Sequence, residues 1–171
     1  YLEDFYTDMN RWGAMMQIHL LFRRFEQHQQ IVWNSKKGAV QDRTIYEDSI
    51  FARMLYVEGF IDQRDYDTYL GHFNLMKRYL VYPDLLIYLR VDPETSLQRI
   101  AERGRKAEVG ITLEYMQKLH EGYEEFIEEM NSYTQVQILN WNKFLKMEEV
   151  VDLISEKTRA KRKFLRDLPK Y

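Results

Sequence analysis

Two groups of charged side chains in this sequence have the types and spacing needed to handle phosphate. The first is the run DRTIYED from Asp42 to Asp48, at the point where an apolar stretch passes into a helical pattern. The second comprises three arginines and an acid: Arg99, Arg103, Arg105 and Glu108. Ligands of open α/β sheets bind at the carboxyl ends of strands, and phosphoryl transfer depends mainly on positioning and charge neutralisation. The two groups therefore indicate a phosphate-handling site at a strand end.

Each group also has a purely structural explanation. Asp42 can cap a helix, with Arg43 beside it as a surface residue. Arg99 and Arg103 are four residues apart and can form the basic end of a helix, where the macrodipole favours them. In the functional alternative, Arg43 reaches into the crevice and Arg105 lies on a segment that closes over a triphosphate. The spacing by itself does not choose between the two explanations.

A further candidate pair lies on the first long helical pattern. Gln17 and Arg24 are seven residues apart, so they share one face of a helix. A buried glutamine needs partners for its amide, which can come from the backbone or from the edge of a nucleobase. We predict no metal site, because no metal-ligand spacing occurs among the four histidines, which are His19, His28, His72 and His120.

The elements that would position these residues follow from periodicity and from helix start and stop signals. We expect a helix from the cap Asp8 to about Gln30, helices over 46–58 and 147–157, and helices that follow the caps Asp62, Asp92 and Thr112. The expected strands are 39–42, 85–91 and 136–139, and a basic tail occupies 159–171. Short apolar strands separated by helices predict an α/β fold with a parallel sheet.

Composition narrows the function classes. The chain has 27 acidic and 25 basic residues, so no global positive field favours nucleic acid or an anionic membrane surface as a partner. No apolar run approaches the roughly 20 residues that span a bilayer. Cysteine is absent, which excludes disulfides and suits a reducing, cytoplasmic location.

Taken in order, the motifs resemble those of the deoxynucleoside kinases, with the nearest likeness to bacterial deoxyadenosine and deoxyadenosine/deoxycytidine kinases. The segments that carry the resemblance are YLEDFY at 1–6 with Arg11-Trp12, then Gln17 and Arg24, then DRTIYED at 42–48, then Arg99 and ERGR at 102–105. The likeness extends over the chain to about Glu156. It implies a P-loop kinase-like three-layer fold, with a parallel sheet and long flanking helices, over residues 1–158.

The resemblance also implies roles for individual residues. Arg43 would hold the catalytic carboxylate and the reacting 5′ region, and the lid arginines Arg99, Arg103 and Arg105 would neutralise the phosphates of ATP. The remaining roles concern the nucleoside. Gln17 and Asp48 would bind the base with support from Arg24, Phe51 would stack on the base, and Tyr6 and Glu108 would hold the sugar 3′-hydroxyl.

By the same resemblance the reaction transfers the γ-phosphoryl group of ATP, with Mg²⁺ bridging its phosphates, to the 5′-hydroxyl of a deoxynucleoside. An amide beside a carboxylate suits an amino-bearing base, so deoxyadenosine is the first choice, followed by deoxycytidine and then deoxyguanosine. Long helices rich in apolar residues, which follow Asp8 and Asp62, favour a homodimer, as in the family.

Two elements of the family do not occur in this sequence. There is no G-x-x-x-x-G-K phosphate loop, and the glutamate that acts as general base on the 5′-hydroxyl has no counterpart. Both belong upstream of Tyr1 in the family, within roughly 40–50 residues by average element lengths. We therefore expect the N-terminal strand or strands and the P-loop to be missing from this chain.

Two other functions remain open on sequence grounds. A nucleoside monophosphate kinase also uses an Asp-Arg motif and an arginine lid, but would need a further phosphate-binding arginine in place of Tyr6, Gln17 and Glu108. A non-catalytic binding or assembly subunit could keep the fold without the phosphate loop. The lid arginines argue against the second alternative.

Overall fold

A computed structural model describes residues 2–34, 38–105 and 108–155 of the chain. The basic tail at 159–171, the first residue of the YLEDFY motif and the end of the expected helix 147–157 lie outside these residues. The described elements, in chain order, are α1 (Leu2–Thr7), α2 (Met9–Asn34), α3 (Asp48–Val57), α4 (Gln63–Lys77), β1 (Leu85–Arg90), α5 (Pro93–Arg103), α6 (Leu113–Met130) and β2 (Gln135–Asn140). Residues 147–155 are helical as well.

Local signals explain where most helices begin and end. The side chains of Asp62 and Thr112 accept hydrogen bonds from the backbone N–H groups of Asp65 and Tyr115, at 2.8 and 3.2 Å, as N-caps do. Asp8 likewise accepts from the N–H of Arg11 at the start of α2. Gly104 ends α5 in the left-handed conformation, with φ of 66°, which glycine adopts without steric cost.

One cap prediction was right in its position and wrong in its side-chain bond. Asp92 stands at the start of α5 but makes no capping bond with its side chain. Its carboxylate instead accepts from the Asn142 amide, whose oxygen in turn accepts from the Asp92 N–H at 2.8 Å. A tertiary partner that lies 50 residues away in the sequence has therefore replaced the local one.

The strand predicted at 39–42 was also wrong. These residues are irregular, and Val40 is fully exposed. Within the described residues the sheet has two strands, β1 and β2, which pair in parallel from Leu85 opposite Gln135 to Arg90 opposite Asn140. A strand needs a neighbour to pair its backbone groups, and none of the described residues provides one for 39–42.

The main core lies where α2, α3, α4 and α6 meet the sheet. Its most deeply buried members are at most 1% exposed and include Leu21, Ile45 and Tyr69. Ile45 and Tyr46 are buried in this core, so the DRTIYED segment packs against it. Helix α3 begins at Asp48 and not at residue 46 as expected. The parallel pairing and the long flanking helices agree with the expected α/β architecture.

Candidate active site

The base-binding candidates form a buried polar group between α2 and α3. Arg24 contacts the carboxylate of Asp48, and their side chains are 13% and 2% exposed. Gln17 is 4% exposed, and its amide oxygen lacks a hydrogen-bond partner among the described residues. Burial lowers the pKa of Arg24, and the nearby Arg43 lowers it further, although not enough to discharge a guanidinium at neutral pH. The group therefore combines a fixed carboxylate with an unused amide acceptor.

Arg43 lies next to this group and is held from several directions. Its Nε donates to the Glu47 carboxylate at 2.8 Å, and its guanidinium lies 4.5 Å from the centre of the Phe51 ring. Tyr123 on α6 interacts electrostatically with Arg43, and its ring packs edge-on against Phe51 at 6.2 Å. The backbone of Arg43 has a φ of 61°, which is unusual for any residue except glycine. Strained positions of this kind cluster at functional sites.

The sugar-binding candidates approach the same region from α1 and from the segment before α6. Glu108 is 9% exposed and accepts two bonds from Arg103, at 2.8 and 3.2 Å, while Arg105 lies 3.6 Å away. Burial raises the pKa of the Tyr6 hydroxyl, and the charge of Glu108 raises it further, whereas Arg103 and Arg43 lower it. These electrostatic interactions place Tyr6 among Glu108, Arg103 and Arg43.

Arg99 has different partners. Its guanidinium donates to the carbonyl oxygens of Trp141 and Asn142, at 2.8 and 3.1 Å, and lies 4.3 Å from the centre of the Phe144 ring. These residues follow β2, at the carboxyl end of the strand. Arg99 is thus anchored to the loop beyond the sheet, whereas Arg103 and Arg105 contact Glu108.

Three residues of this region were not identified as site residues from the sequence. Glu47 is four residues from Arg43, a spacing that could have suggested the pair. Tyr123 and Tyr115 lie on the helix that was expected after Thr112, and their spacing gave no signal of a site. Burial raises the pKa of both tyrosines, that of Tyr123 to about 12, and Arg43 lowers both. Both phenols are therefore neutral hydrogen-bonding groups beside the arginine.

A separate groove of about 490 Å³ lies between α3 and α6. Its lining includes Ile50, Met54 and Phe126, and none of the candidate residues named from the sequence.

Two searches of the described residues concern other kinds of site. They contain no group of three or more histidine, aspartate or glutamate residues that could hold a metal ion. The helices in the same part of the chain include none that is both long enough and apolar enough to cross a membrane.

The geometry defines an α/β protein in which arginines pair with buried carboxylates, Arg24 with Asp48 and Arg103 with Glu108, as in nucleotide-dependent phosphotransferases. The profile of the deoxynucleoside kinase family matches residues 1–162, and the chain belongs to that family. The fold inferred from the motifs, that of the P-loop kinases, is thereby confirmed.

Individual relatives agree. A deoxyadenosine kinase of Dictyostelium discoideum is 46% identical over 154 residues, which are 90% of this chain and 62% of that protein. A deoxyadenosine/deoxycytidine kinase of Bacillus subtilis is 42% identical over 135 residues, 77% of this chain and 62% of the relative. The chain therefore spans somewhat less than two thirds of the length of these two relatives.

A solved structure shows the same fold. The deoxyadenosine kinase from M. mycoides with bound dCTP superposes with a TM-score of 0.78 at 32% identity. The match covers 94% of this chain and 80% of the M. mycoides chain.

Proposed function

We propose that the protein to which this chain belongs is a deoxynucleoside kinase that transfers the γ-phosphoryl group of ATP to the 5′-hydroxyl of a deoxynucleoside, with deoxyadenosine preferred. One observation carries the proposal: the buried Arg24–Asp48 pair, the strained Arg43 and the Arg103–Glu108 pair come from separate elements. The electrostatic interactions of Tyr6 with Arg43, Arg103 and Glu108 support a common site. The names of the relatives, two of which are deoxyadenosine or deoxyadenosine/deoxycytidine kinases, support the same activity.

The base preference is argued from Gln17 and Asp48. The free amide oxygen of Gln17 can accept a hydrogen bond from an exocyclic amino group. Asp48 supplies a second acceptor that the contact with the Arg24 guanidinium fixes in direction. Adenine and cytosine present an amino donor beside a ring acceptor, and an amide can satisfy both. Phe51, which lies against Arg43, offers a ring on which the base can stack.

The remaining residues act on the sugar and on the phosphates. Tyr6 and Glu108 bind the 3′-hydroxyl, and Arg43 orients the 5′ region. In the transfer the 5′-oxygen bonds to the γ-phosphorus while the bond from that phosphorus to the β–γ bridging oxygen breaks, releasing ADP. Arg103 and Arg105 neutralise charge that develops on the transferred group. Arg99 joins them at the donor side, next to the loop that follows β2.

Mg²⁺ bound to the phosphates would neutralise part of their charge and hold them in line for transfer. The 5′-hydroxyl proton goes to a carboxylate that the family resemblance assigns to the segment upstream of Tyr1.

The test uses the complete gene product and measures phosphorylation of the four deoxynucleosides with ATP-Mg²⁺. Deoxyadenosine should give the highest kcat/KM, followed by deoxycytidine and deoxyguanosine. Arg43→Ala and Arg103→Ala should each reduce kcat by about 100-fold or more, as loss of a group that stabilises transition-state charge does. Arg53→Ala, in an exposed ion pair away from the site, is the matched control and should retain activity.

Two outcomes would redirect the assignment. Phosphorylation of dAMP in preference to deoxyadenosine would indicate a monophosphate kinase. If the unmodified protein phosphorylates neither class of acceptor, a binding or assembly role replaces the enzyme.

We also propose a cytoplasmic homodimer that works in nucleotide salvage. Met15 and Phe22 are 50% and 53% exposed, and since they are two turns apart they share a face of α2. Leu75 on α4, which packs beside α2, is 55% exposed. Phe22→Glu should convert the dimer to a monomer in light scattering, whereas Val57→Glu, at an exposed site on α3, should not.

A further inference from the structure

Arg43 occupies an unfavourable backbone conformation that needs external support. Its φ of 61° is the only positive value at a non-glycine residue in the described part of the chain. An L-residue in this region has a close approach between its Cβ and the carbonyl oxygen. Such a conformation persists only where surrounding contacts over-determine it.

Three side chains supply these contacts, and they come from two elements. Glu47, just before α3, accepts from Arg43 Nε at 2.8 Å, and its side chain is 13% exposed. Phe51, one turn later, presents its ring face at 4.5 Å. Tyr123 on α6 packs its ring edge-on against Phe51 at 6.2 Å and interacts electrostatically with Arg43. The guanidinium is therefore held at its edge by the bond to Glu47 and on its flat face by the Phe51 ring.

The electrostatics of the group favour a charged and oriented arginine. Burial alone lowers the pKa of Arg43, but Tyr123 and Glu47 more than compensate, so the pKa is raised. Glu47 binds the Nε proton and leaves the Nη protons for other acceptors. These Nη protons are available to the reacting groups.

We infer that Glu47 and Tyr123 are positioning residues for the reaction: they hold the strained Arg43 so that its free Nη atoms face the 5′ region of the substrate. The inference rests on the proposed kinase function and adds two residues to it. Neither residue needs to touch the substrate. Their effect on the rate passes through Arg43.

The test compares Tyr123→Phe, Glu47→Gln and Glu47→Ala in the complete gene product. Tyr123→Phe removes one hydroxyl and keeps the ring contacts with Phe51. It should lower kcat by roughly 10-fold, and Glu47→Ala should lower it by roughly 10- to 100-fold, because small misplacements of a catalytic group are costly. KM for the deoxynucleoside should stay within about threefold, since the groups proposed to bind base and sugar are unchanged. Glu47→Gln keeps an acceptor for Nε and should recover part of the loss.

A double-mutant cycle shows whether the effect passes through Arg43. In an Arg43→Ala background neither Tyr123→Phe nor Glu47→Ala should lower kcat further, because the group that they position is gone. Glu125→Gln, which breaks the exposed Arg53–Glu125 pair between α3 and α6, is the control and should leave kcat unchanged. If the fold-reduction of kcat in Tyr123→Phe or Glu47→Ala is as large in the Arg43→Ala background as in the unmodified protein, the inference is overturned. A wild-type rate in Tyr123→Phe and Glu47→Ala would overturn it too.

An NMR measurement tests the contact without relying on activity. The Arg43 Nε–H signal should exchange slowly in the unmodified protein, since the proton is bonded to Glu47, and should broaden or disappear in Glu47→Ala. Failure of the kinase proposal would appear as an inactive unmodified protein. Failure of the positioning inference would appear as an active protein that loses activity in Arg43→Ala. In that protein, substitution of Glu47 or Tyr123 would change neither the Arg43 signal nor kcat.

Discussion

Replacing Asp48 by asparagine should destabilise the protein even without substrate. The Asp48 and Arg24 side chains are 2% and 13% exposed, so both charges have lost most of their hydration. Removing one member of a buried pair costs about 3–5 kcal/mol, because the remaining charge keeps its desolvation penalty and loses its partner. An amide can still accept a hydrogen bond from the guanidinium, which places the expected loss at the lower end, about 3 kcal/mol.

Urea unfolding of the ligand-free protein measures this loss, and thermal unfolding provides a second estimate. At about 2–4 °C per kcal/mol for a chain of this size, Tm should fall by roughly 6–12 °C. Glu125→Gln is the matched control, because the Arg53–Glu125 pair has a similarly close contact of 2.6 Å but its side chains are 62% and 63% exposed. Exposed pairs contribute about 0–1 kcal/mol.

The reasoning also predicts coupling between the two partners. In an Arg24→Met background, Asp48→Asn should cost much less, because no buried guanidinium remains to be left unpaired. A loss for Asp48→Asn no larger than that for Glu125→Gln would refute the argument. So would a loss that is undiminished in the Arg24→Met background.

Two other expectations concern packing and pH. A Cβ on Gly122 would lie 2.7 Å from Ile50 Cγ2, so Gly122→Ala should destabilise the protein by about 1–3 kcal/mol in urea unfolding. At Gly71 a Cβ would meet nothing within 4 Å, so Gly71→Ala should be neutral or stabilise its helix by up to about 1 kcal/mol. Equal effects at both sites would contradict the reasoning. Burial lowers the pKa of His28, whose Nε2 accepts from the Val81 N–H at 3.1 Å, so the folded state binds fewer protons than the unfolded one. The contribution of His28 is therefore complete above about pH 6.5 and is lost as the pH falls through the lowered pKa. His28→Leu should cost about 1 kcal/mol at pH 8 and less at pH 5, and a cost independent of pH would exclude this account.

Local chemistry explains the parts of the fold that were predicted correctly. Asp62 and Thr112 are caps because their own side chains bond to a backbone group three residues later, and Gly104 ends a helix because it lacks a Cβ. These effects act within a few residues. Asp92 shows the limit: its capping signal was present, but Asn142, distant in sequence, took the bond.

The strand at 39–42 failed for a related reason. A short apolar run is equally compatible with a buried strand and with an irregular segment, and its fate depends on whether another strand lies beside it. Among the described residues β1 pairs with β2 alone. Pairing is a property of the whole sheet and is not encoded in the four residues themselves.

Sequence alone determined the helical and strand pattern from α4 onward, the charged motifs and, through their order and spacing, the family. Only the tertiary structure decided that Glu47 bonds to Arg43 and that Tyr123 packs on Phe51 beside it. It also decided that Arg99 bonds to the loop beyond β2, whereas Arg103 bonds to Glu108. The physical reason is that an arginine side chain is long and flexible, with several donors and several acceptors within reach. Its partner is selected by the acceptors that folding brings near, and those lie on elements far away in the sequence.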